Sequence, residues 1–123
     1  MCHVLIIEDD AVAALDVRQT LERAGATSFS FADTEDEALL RARETLPAIV
    51  TADVMLSKGS GVAAVRRIEA ELGPLPAIFI TATPDQCENC HPHEVIEKPF
   101  STGRLMVLFR ALTEAGRPLP DLG

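Results

Sequence analysis

Short apolar runs that end in polar side chains divide this chain at regular intervals and predict the strands of a sheet. Runs of this length, without polar alternation and bounded by turn residues, are typical of parallel strands that are buried on both faces. One further segment, residues 27–32, alternates polar with aromatic side chains, which favours a half-exposed strand near the edge of the sheet. The four continuous runs are residues 4–7, 48–52, 76–80 and 94–96.

Helical spacing of apolar residues fills most of the intervals between these strands. The spacing predicts helices over residues 11–25, 34–46, 62–72 and 101–116, the second opened by a capping box and the last capped by Ser101. Residues 82–93 contain two prolines and few apolar side chains, so they support at most one or two helical turns. The residues expected to face the core are Val12, Leu15, Val17 and Leu21 in the first helix, Ala38, Leu39, Ala42 and Leu46 in the second, Val62, Val65, Ile68 and Leu72 in the third, and Leu105, Leu108, Phe109 and Leu112 in the last.

Five strands that alternate with helices predict an α/β protein with an open sheet. The chain has 123 residues, enough for a single domain with a sizeable core. We expect that domain to occupy residues 1–116, because the proline-rich segment 117–123 is too short to be more than a tail.

The charge balance narrows the classes of partner. The formal net charge is −8. The chain therefore lacks the excess of positive charge that drives binding to the phosphates of nucleic acid or to anionic lipid. No apolar stretch approaches the roughly 20 residues of a membrane span, and the N-terminus does not resemble a signal peptide. We therefore expect a cytoplasmic protein that neither binds nucleic acid directly nor inserts into a membrane, and whose three cysteines are reduced.

Chemically active side chains follow the ends of the predicted strands. Glu8 and Asp9 follow the first strand, Asp53 the third, Thr81 the fourth and Lys98 the last. Because ligands of open α/β sheets bind at the carboxyl ends of the strands, these groups are expected to meet at one rim. An aspartate there can act as a nucleophile toward a phosphoryl group and form an acyl phosphate.

A cluster of carboxylates also predicts a divalent cation. Two unit charges about 4 Å apart repel each other by roughly 4 kcal/mol at an effective dielectric constant of about 20. Mg²⁺ offsets such repulsion and prefers oxygen ligands from one or two carboxylates together with phosphate oxygens and water. Glu8, Asp9 and Asp53 supply ligands of this kind, while Lys98 can pair with one phosphoryl oxygen and the Thr81 hydroxyl can donate to another.

In this order and on these elements, the motifs make the chain resemble a receiver domain of bacterial response regulators of two-component systems, over about residues 3–114. The resemblance implies a flavodoxin-like, doubly wound five-stranded parallel sheet in the order 2-1-3-4-5. It implies Asp53 as phosphoacceptor, with Glu8, Asp9 and the backbone carbonyl of Met55 as ligands of Mg²⁺ or Mn²⁺. It also implies Thr81 as the switch hydroxyl and Lys98, before a cis peptide to Pro99, as the phosphate-pairing lysine.

As a function, the resemblance implies a single-domain response regulator. A histidine kinase or a histidine phosphotransfer protein would phosphorylate Asp53, and the protein would then signal to an unidentified downstream protein or serve as a phosphate sink. It would be no conventional enzyme, although slow self-hydrolysis of the phosphoaspartate is implied, with Met55 and Thr83 flanking the site. Among relatives, the pattern is most similar to the receivers of alphaproteobacterial stress-response regulators.

Two departures from the family pattern affect the switch. Val95 occupies the position, three residues before the lysine, where the family usually has Tyr or Phe. Lys98 follows Thr81 by only 17 positions (98 minus 81), fewer than is common, so the fourth helix of the family is expected to be short or irregular. The face that many relatives use for dimers and partners is therefore altered, and a homodimer is left open.

The segment from Cys87 to His93 contains a C-x-x-C-H string, a pattern that signals covalent haem attachment in an exported protein. Haem does not fit a receiver fold without export. Zinc held by Cys87, Cys90, His91 and His93 would require a strained loop, because three of these residues are nearly contiguous. A redox-active dithiol formed by Cys87 and Cys90 is a third interpretation, and an ordinary surface loop without a ligand is the simplest.

Other functions remain open from the sequence. An aspartate-nucleophile phosphatase would need a second carboxylate two positions after Asp53, and that position is Met55. A metal- or redox-responsive binding module would be centred on Cys87 and Cys90. A receiver that binds its partner without phosphorylation is disfavoured by the complete set of acidic residues.

Overall fold

The computed structural model describes residues 2–87, 90 and 92–113. Five parallel strands form one sheet in the order β2-β1-β3-β4-β5, which confirms the flavodoxin-like arrangement. Each strand lies within one or two residues of its predicted place, because the apolar runs that define the strands are continuous. The strands are β1 (His3–Ile7), β2 (Ser28–Ala32), β3 (Ile49–Asp53), β4 (Ala77–Thr81) and β5 (Glu94–Glu97).

Four α-helices connect or follow the strands: α1 (Ala11–Arg23), α2 (Glu35–Glu44), α3 (Gly61–Leu72) and α4 (Thr102–Leu112). Each begins at a side chain that accepts a hydrogen bond from a backbone N–H group of the first turn, which satisfies donors that the helix itself leaves unpaired. These capping residues are Asp10, Thr34, Ser60 and Ser101.

The sheet separates two buried layers, as expected for a doubly wound fold. Helices α2 and α3 pack together over one face, where Phe79 is among the largest fully buried side chains. Helices α1 and α4 pack over the other face, where Phe109 has the same role. Among the described residues, no helix is both long enough and apolar enough to cross a bilayer.

Three leucine and valine positions that were expected to face the core are exposed. Val12 is 70% exposed and Leu15 is 48% exposed, because α1 buries a face carried by Ala14, Val17 and Leu21 instead. Val12 lies two residues before Ala14 and so points away from that face at 3.6 residues per turn. Leu46 is 63% exposed, since α2 ends at Glu44, two residues earlier than expected.

Between β4 and β5, the described residues include the 3₁₀ turn Pro84–Gln86 and no α-helix, so the prediction of a short or irregular helix is confirmed. Cys87 and Cys90 are joined in a disulfide, and Cys90 is buried. The structure therefore departs from the expectation that these two cysteines are reduced. His91, the predicted helix end at Gly116 and the tail 117–123 lie outside the described residues.

Candidate functional site

The order of the sheet brings the predicted acidic residues together. Strands β1 and β3 are neighbours, with Ile7 paired to Ala52, so Glu8 and Asp9 emerge beside Asp53 at the carboxyl edge. One carboxylate oxygen from each of these three residues lies within 4.8 Å of the others. The side chains of Glu8 and Asp53 are 7% and 13% exposed, whereas Asp9 is open to solvent. The cluster is thus a half-covered set of oxygen donors.

Lys98 supplies the positive charge of the cluster. Its Nζ atom lies 2.8 Å from Oδ2 of Asp53 and 3.6 Å from Oε2 of Glu8. The backbone N–H of Lys98 donates to the carbonyl of Thr81 at 2.8 Å, and the peptide bond between Lys98 and Pro99 is cis, as the resemblance predicted. Burial lowers the pKa of Lys98, but the hydrogen bond to Asp53 and the charges of Glu8 and Asp53 outweigh burial and raise the pKa above its ordinary value.

The loop between β3 and α3 holds two of the carboxylates. The backbone N–H of Met55 donates to Oδ1 of Asp53 at 3.1 Å, while the Met55 side chain is 71% exposed. Ser57 donates to Oδ2 of Asp9 through both its backbone N–H and its hydroxyl. The hydrogen bonds from the Ser57 hydroxyl and then from its N–H lower the pKa of Asp9. Ser57 is a site residue that sequence reasoning missed.

Two further contacts fix this loop against its neighbours. The backbone N–H of Ser60 donates to Oε2 of Glu35 at 3.0 Å, which ties the start of α3 to the start of α2. Gly61 begins α3 directly against the carbonyl oxygen of Asp53, and a Cβ atom at this position would collide with that oxygen. A glycine is therefore required for the close approach of helix and strand beneath the acidic cluster.

Glu8 has a strongly altered acidity. Burial raises the pKa of Glu8 most, followed by the charge of Asp53 and the hydrogen bond to Asp53. The positive charge of Lys98 lowers this pKa only in part, so it stands at about 7. Without a cation other than Lys98, the cluster therefore tends to hold a proton near neutral pH. A divalent ion would replace that proton, because it offsets the same repulsion between carboxylates.

We expect the free energy of unfolding in EDTA to decrease as pH rises from about 5 to about 8. The folded protein keeps a proton on Glu8 that the unfolded chain releases near its ordinary pKa of 4.5, and this advantage is lost as pH passes about 7. After allowance for solvent screening, the loss should be about 1–2 kcal/mol. Urea unfolding across this range measures it.

The variant Glu8→Gln is the matched control for this pH dependence. It keeps the shape of the side chain and removes the titration, so its unfolding free energy should vary less over the same range. A slope equal to that of the wild type would contradict the assignment of the dependence to Glu8.

The Thr81 hydroxyl bonds within its own loop in this structure. Thr81 is 2% exposed, and its Oγ1 accepts a hydrogen bond from the backbone N–H of Thr83 at 3.1 Å. The Oγ1 atoms of Thr81 and Thr83 are 3.4 Å apart. Val95, opposite Phe79 in the sheet, is half-buried and packs against the α2–α3 side of the core. Thr81 thus lies at the carboxyl edge of the sheet, and Val95 lies in the core layer.

The structure brings Glu8, Asp9, Asp53 and Lys98 into one site. The Met55 carbonyl as a metal ligand and the switching role of Thr81 stay predictions. Asp10, the next acid along the chain, instead accepts hydrogen bonds from the first turn of α1 as its cap.

A doubly wound parallel sheet with three carboxylates and a lysine at its carboxyl edge is the flavodoxin-like arrangement that the resemblance to receiver domains predicted. The model of the response regulator receiver domain family matches residues 4–110. The chain belongs to that family.

Several relatives are proteins named PhyR. The phyllosphere-induced regulator PhyR of Methylorubrum extorquens is 36% identical over 103 residues, which cover 80% of this chain and 38% of that protein. The solution structure of the receiver domain of Erythrobacter litoralis PhyR superposes with a TM-score of 0.81 at 25% identity, covering 97% of this chain and 95% of that domain. The anti-anti-sigma factor PhyR of Bartonella quintana gives 0.77 at 31% identity, covering 88% of this chain and 45% of the other.

Another solved PhyR is described as a stress response regulator, in agreement with the predicted similarity to stress-response receivers. The chain spans 38% of the length of the Methylorubrum extorquens PhyR and between 26% and 55% of the length of three other regulatory proteins that it matches. It corresponds to their receiver domain rather than to the whole of these proteins.

Proposed function

We propose that Asp53 accepts a phosphoryl group from a histidine kinase or a histidine phosphotransfer protein. The observation that carries the proposal is the position of its carboxylate, 2.8 Å from the ammonium group of Lys98 and next to Glu8 and Asp9 at the open edge of the sheet. In the proposed step, a carboxylate oxygen of Asp53 forms a bond to phosphorus, and the phosphorus–nitrogen bond of the donor breaks. The donor imidazole keeps that electron pair.

The residues around Asp53 have separable tasks in this proposal. The N–H of Met55 holds Oδ1, and Lys98 holds Oδ2 before transfer. Transfer moves the negative charge outward, from the Asp53 carboxylate to the phosphoryl oxygens. Lys98 then exchanges its contact with Asp53 for a contact with a phosphoryl oxygen. Movement of the Thr81 hydroxyl from Thr83 toward the phosphoryl group would then change the neighbouring surface, which is the output of the switch.

The donor set fits Mg²⁺ or Mn²⁺ rather than a softer metal. Three carboxylates lie within ligand distance of one another, and mutual repulsion contributes to the raised pKa of Glu8. Hard divalent cations prefer such oxygen ligands. Glu8, Asp9, Asp53 and the Met55 carbonyl would hold the ion, which would neutralise charge between the carboxylate and the incoming phosphoryl group. Asp9 would first have to loosen its hydrogen bonds with Ser57.

The exposed apolar residues of α1 suit the docking of the phosphoryl donor. Leu15 and the 40% exposed Phe31 line a groove of about 420 Å³ that also borders Glu8 and Asp9. Val12 adds an exposed apolar side chain on the same helix. A helix of a kinase or phosphotransfer protein placed here would bring its histidine to the mouth of the site, while excluding water from the groove.

Downstream, the proposal is a protein partner or service as a phosphate sink. One relative, the PhyR of Bartonella quintana, is described as an anti-anti-sigma factor, which supports a protein rather than nucleic acid as the partner. The proposal retains the cytoplasmic location and the boundaries expected from the sequence, a receiver over residues 1–116 with a tail at 117–123. Slow loss of the phosphoryl group by hydrolysis completes the cycle.

Intact-protein mass spectrometry tests this function on the wild-type chain. Incubation with acetyl phosphate and Mg²⁺ should add one phosphoryl group, and the same incubation in EDTA should add none. If acetyl phosphate fails, a phosphotransfer protein loaded with phosphate is the second donor. Failure with both donors in the presence of Mg²⁺ would contradict the proposal.

The same samples distinguish the phosphatase alternative. Met55, rather than an acid, stands two positions after Asp53, so no carboxyl group is available there to protonate a leaving alcohol. We expect no sustained turnover of p-nitrophenyl phosphate. Continuous release of p-nitrophenol, lost in Asp53→Ala, would favour the enzyme over the receiver.

A further inference from the structure

The pair Cys87 and Cys90 follows Thr81 by six and nine positions along the chain and has no task in the proposed switch. The pair is joined as a disulfide with a Cα–Cα distance of 5.4 Å, within the usual range for such bonds. It occupies the interval between β4 and β5 where the described residues form no α-helix and include the 3₁₀ turn Pro84–Gln86. Cys87 follows that turn directly, and the turn follows Thr83.

The two sulfur-bearing residues are held to different degrees. Cys90 is 1% exposed and belongs to the same buried cluster as Phe79. Its carbonyl accepts a hydrogen bond from the backbone N–H of His93 at 2.9 Å. The His93 ring lies 3.1 Å from Oε1 of Glu69 on α3 and meets the Phe79 ring edge-on. Cys90 is therefore anchored to the core through its side chain and, by way of His93, through its carbonyl, while its N–H donates to the carbonyl of Cys87 at 3.3 Å.

Cys87 is less buried than Cys90, although it packs against the same cluster, and it connects to the active edge. It is half-buried, and its backbone N–H donates to the carbonyl of Pro84 across the 3₁₀ turn. Pro84 follows Thr83, whose N–H donates to the Thr81 hydroxyl at 3.1 Å. A displacement of Cys87 therefore acts on the short segment that positions Thr81.

Reduction of the disulfide must produce such a displacement. Bonded sulfur atoms lie about 2 Å apart, whereas non-bonded heavy atoms prefer roughly 3.5–4 Å. The two thiols must therefore separate by about 1.5–2 Å. Because Cys90 is fixed in the core, Cys87 and the turn before it are the parts that can move.

We propose that Cys87 and Cys90 form a reversible thiol–disulfide site through which a dithiol reductant controls the lifetime of the phosphoryl group on Asp53. The lifetime of the phosphoryl group can be measured only if the function proposed above holds, whereas the presence of the disulfide does not depend on that function. In most cytoplasmic proteins, a disulfide that forms is catalytic or redox-sensing rather than structural. A C-x-x-C spacing is typical of such pairs.

The exchange chemistry balances with one external dithiol. One thiolate of the reductant attacks Sγ of Cys87, the more accessible sulfur, and the bond to Cys90 breaks with the electron pair going to Cys90. The second thiol of the reductant then attacks the mixed disulfide and releases Cys87. The reductant becomes a disulfide, and its two protons finish on the two cysteines.

The first experiment counts thiols and does not depend on phosphorylation. Protein kept without reductant is denatured and treated with N-ethylmaleimide, and intact mass is measured. We expect a single adduct, at Cys2, in untreated protein and three adducts after incubation with dithiothreitol. Three adducts in untreated, air-exposed protein would overturn the disulfide.

The second experiment measures the coupling. Wild-type protein, oxidised or reduced, is phosphorylated with acetyl phosphate and Mg²⁺, the donor is removed, and the decay of the phosphorylated mass is followed. We expect the two lifetimes to differ by about fivefold or more, the lower end of couplings between distinct sites. Equal lifetimes would overturn the control of Asp53 by the disulfide.

Two variants and one independent readout complete the test. Cys87→Ser changes the less buried partner and should give one lifetime under both conditions, close to that of the reduced wild type, while Cys2→Ala should keep the redox response. If the wild type accepts no phosphoryl group, amide hydrogen exchange of residues 81–83 decides instead. Faster exchange on reduction supports the movement of the turn, and unchanged exchange overturns it.

Discussion

Asp53→Asn should abolish the Mg²⁺-dependent gain of one phosphoryl group while leaving the fold intact. The amide has almost the same shape as the carboxylate, and its single oxygen can keep one of the two hydrogen bonds that Asp53 accepts, from Lys98 or from the N–H of Met55. It lacks the negative oxygen that attacks phosphorus, so the nucleophile is lost without the loss of packing. Intact mass after incubation with acetyl phosphate measures the difference, from one added group to none.

The matched control removes a carboxylate that lies outside the cluster. Asp33 is exposed beside the groove between α1 and β2 and is absent from the group of acids that lie within ligand distance of one another. Asp33→Asn changes the net charge by the same amount and should label like the wild type. Labelling of Asp53→Asn at the wild-type level would show that another residue accepts the phosphoryl group.

Lys98→Met should slow phosphorylation of Asp53 by about 10²-fold, the loss typical when one preorganised donor is removed from a developing negative charge. Methionine keeps the length of the apolar stem and removes the ammonium group that lies 2.8 Å from Asp53 and 3.6 Å from Glu8. The same change removes a charge that lowers the pKa of Glu8, so that pKa should rise further above about 7. The initial rate of mass gain at fixed acetyl phosphate measures the first effect.

The chain offers a close control, because its other lysine, Lys58, lies exposed in the loop between β3 and α3. Lys58→Met should keep the wild-type rate within experimental error. Equal slowing in both variants would point to a general charge effect on the anionic donor, and unchanged labelling in Lys98→Met would contradict the role of Lys98.

Much of the fold could be predicted because the strands are continuous apolar runs whose ends carry polar residues. A strand buried on both faces leaves no room for polar alternation, so β1, β3 and β4 were placed to within one or two residues. The order of the strands could not be obtained from periodicity and came from the resemblance to receivers. Once that order is known, the convergence of Glu8, Asp9 and Asp53 follows from parallel pairing alone.

The missed features depend on contacts between distant segments. Ser57 bonds to Asp9 across 48 positions, and no spacing in the sequence encodes that contact. The sequence offered one signal for Ser57, a hydroxyl group in the loop after β3, the strand that ends at Asp53. Val12 and Leu15 fit a helical repeat, but the small Ala14 brings α1 to the sheet on another face and leaves them exposed. The Cys87–Cys90 bond was outweighed by the expectation of a reducing compartment.

The position of β5 at the edge of the sheet has a consequence for newly made chains. A ribosome releases Glu8, Asp9 and Asp53 long before residues 94–98, and β5 can join only by pairing with β4. Until it does, a truncated chain carries three clustered carboxylates without the lysine that neutralises them. In the proposed function, incomplete translation products without Lys98 would therefore be poor phosphate acceptors.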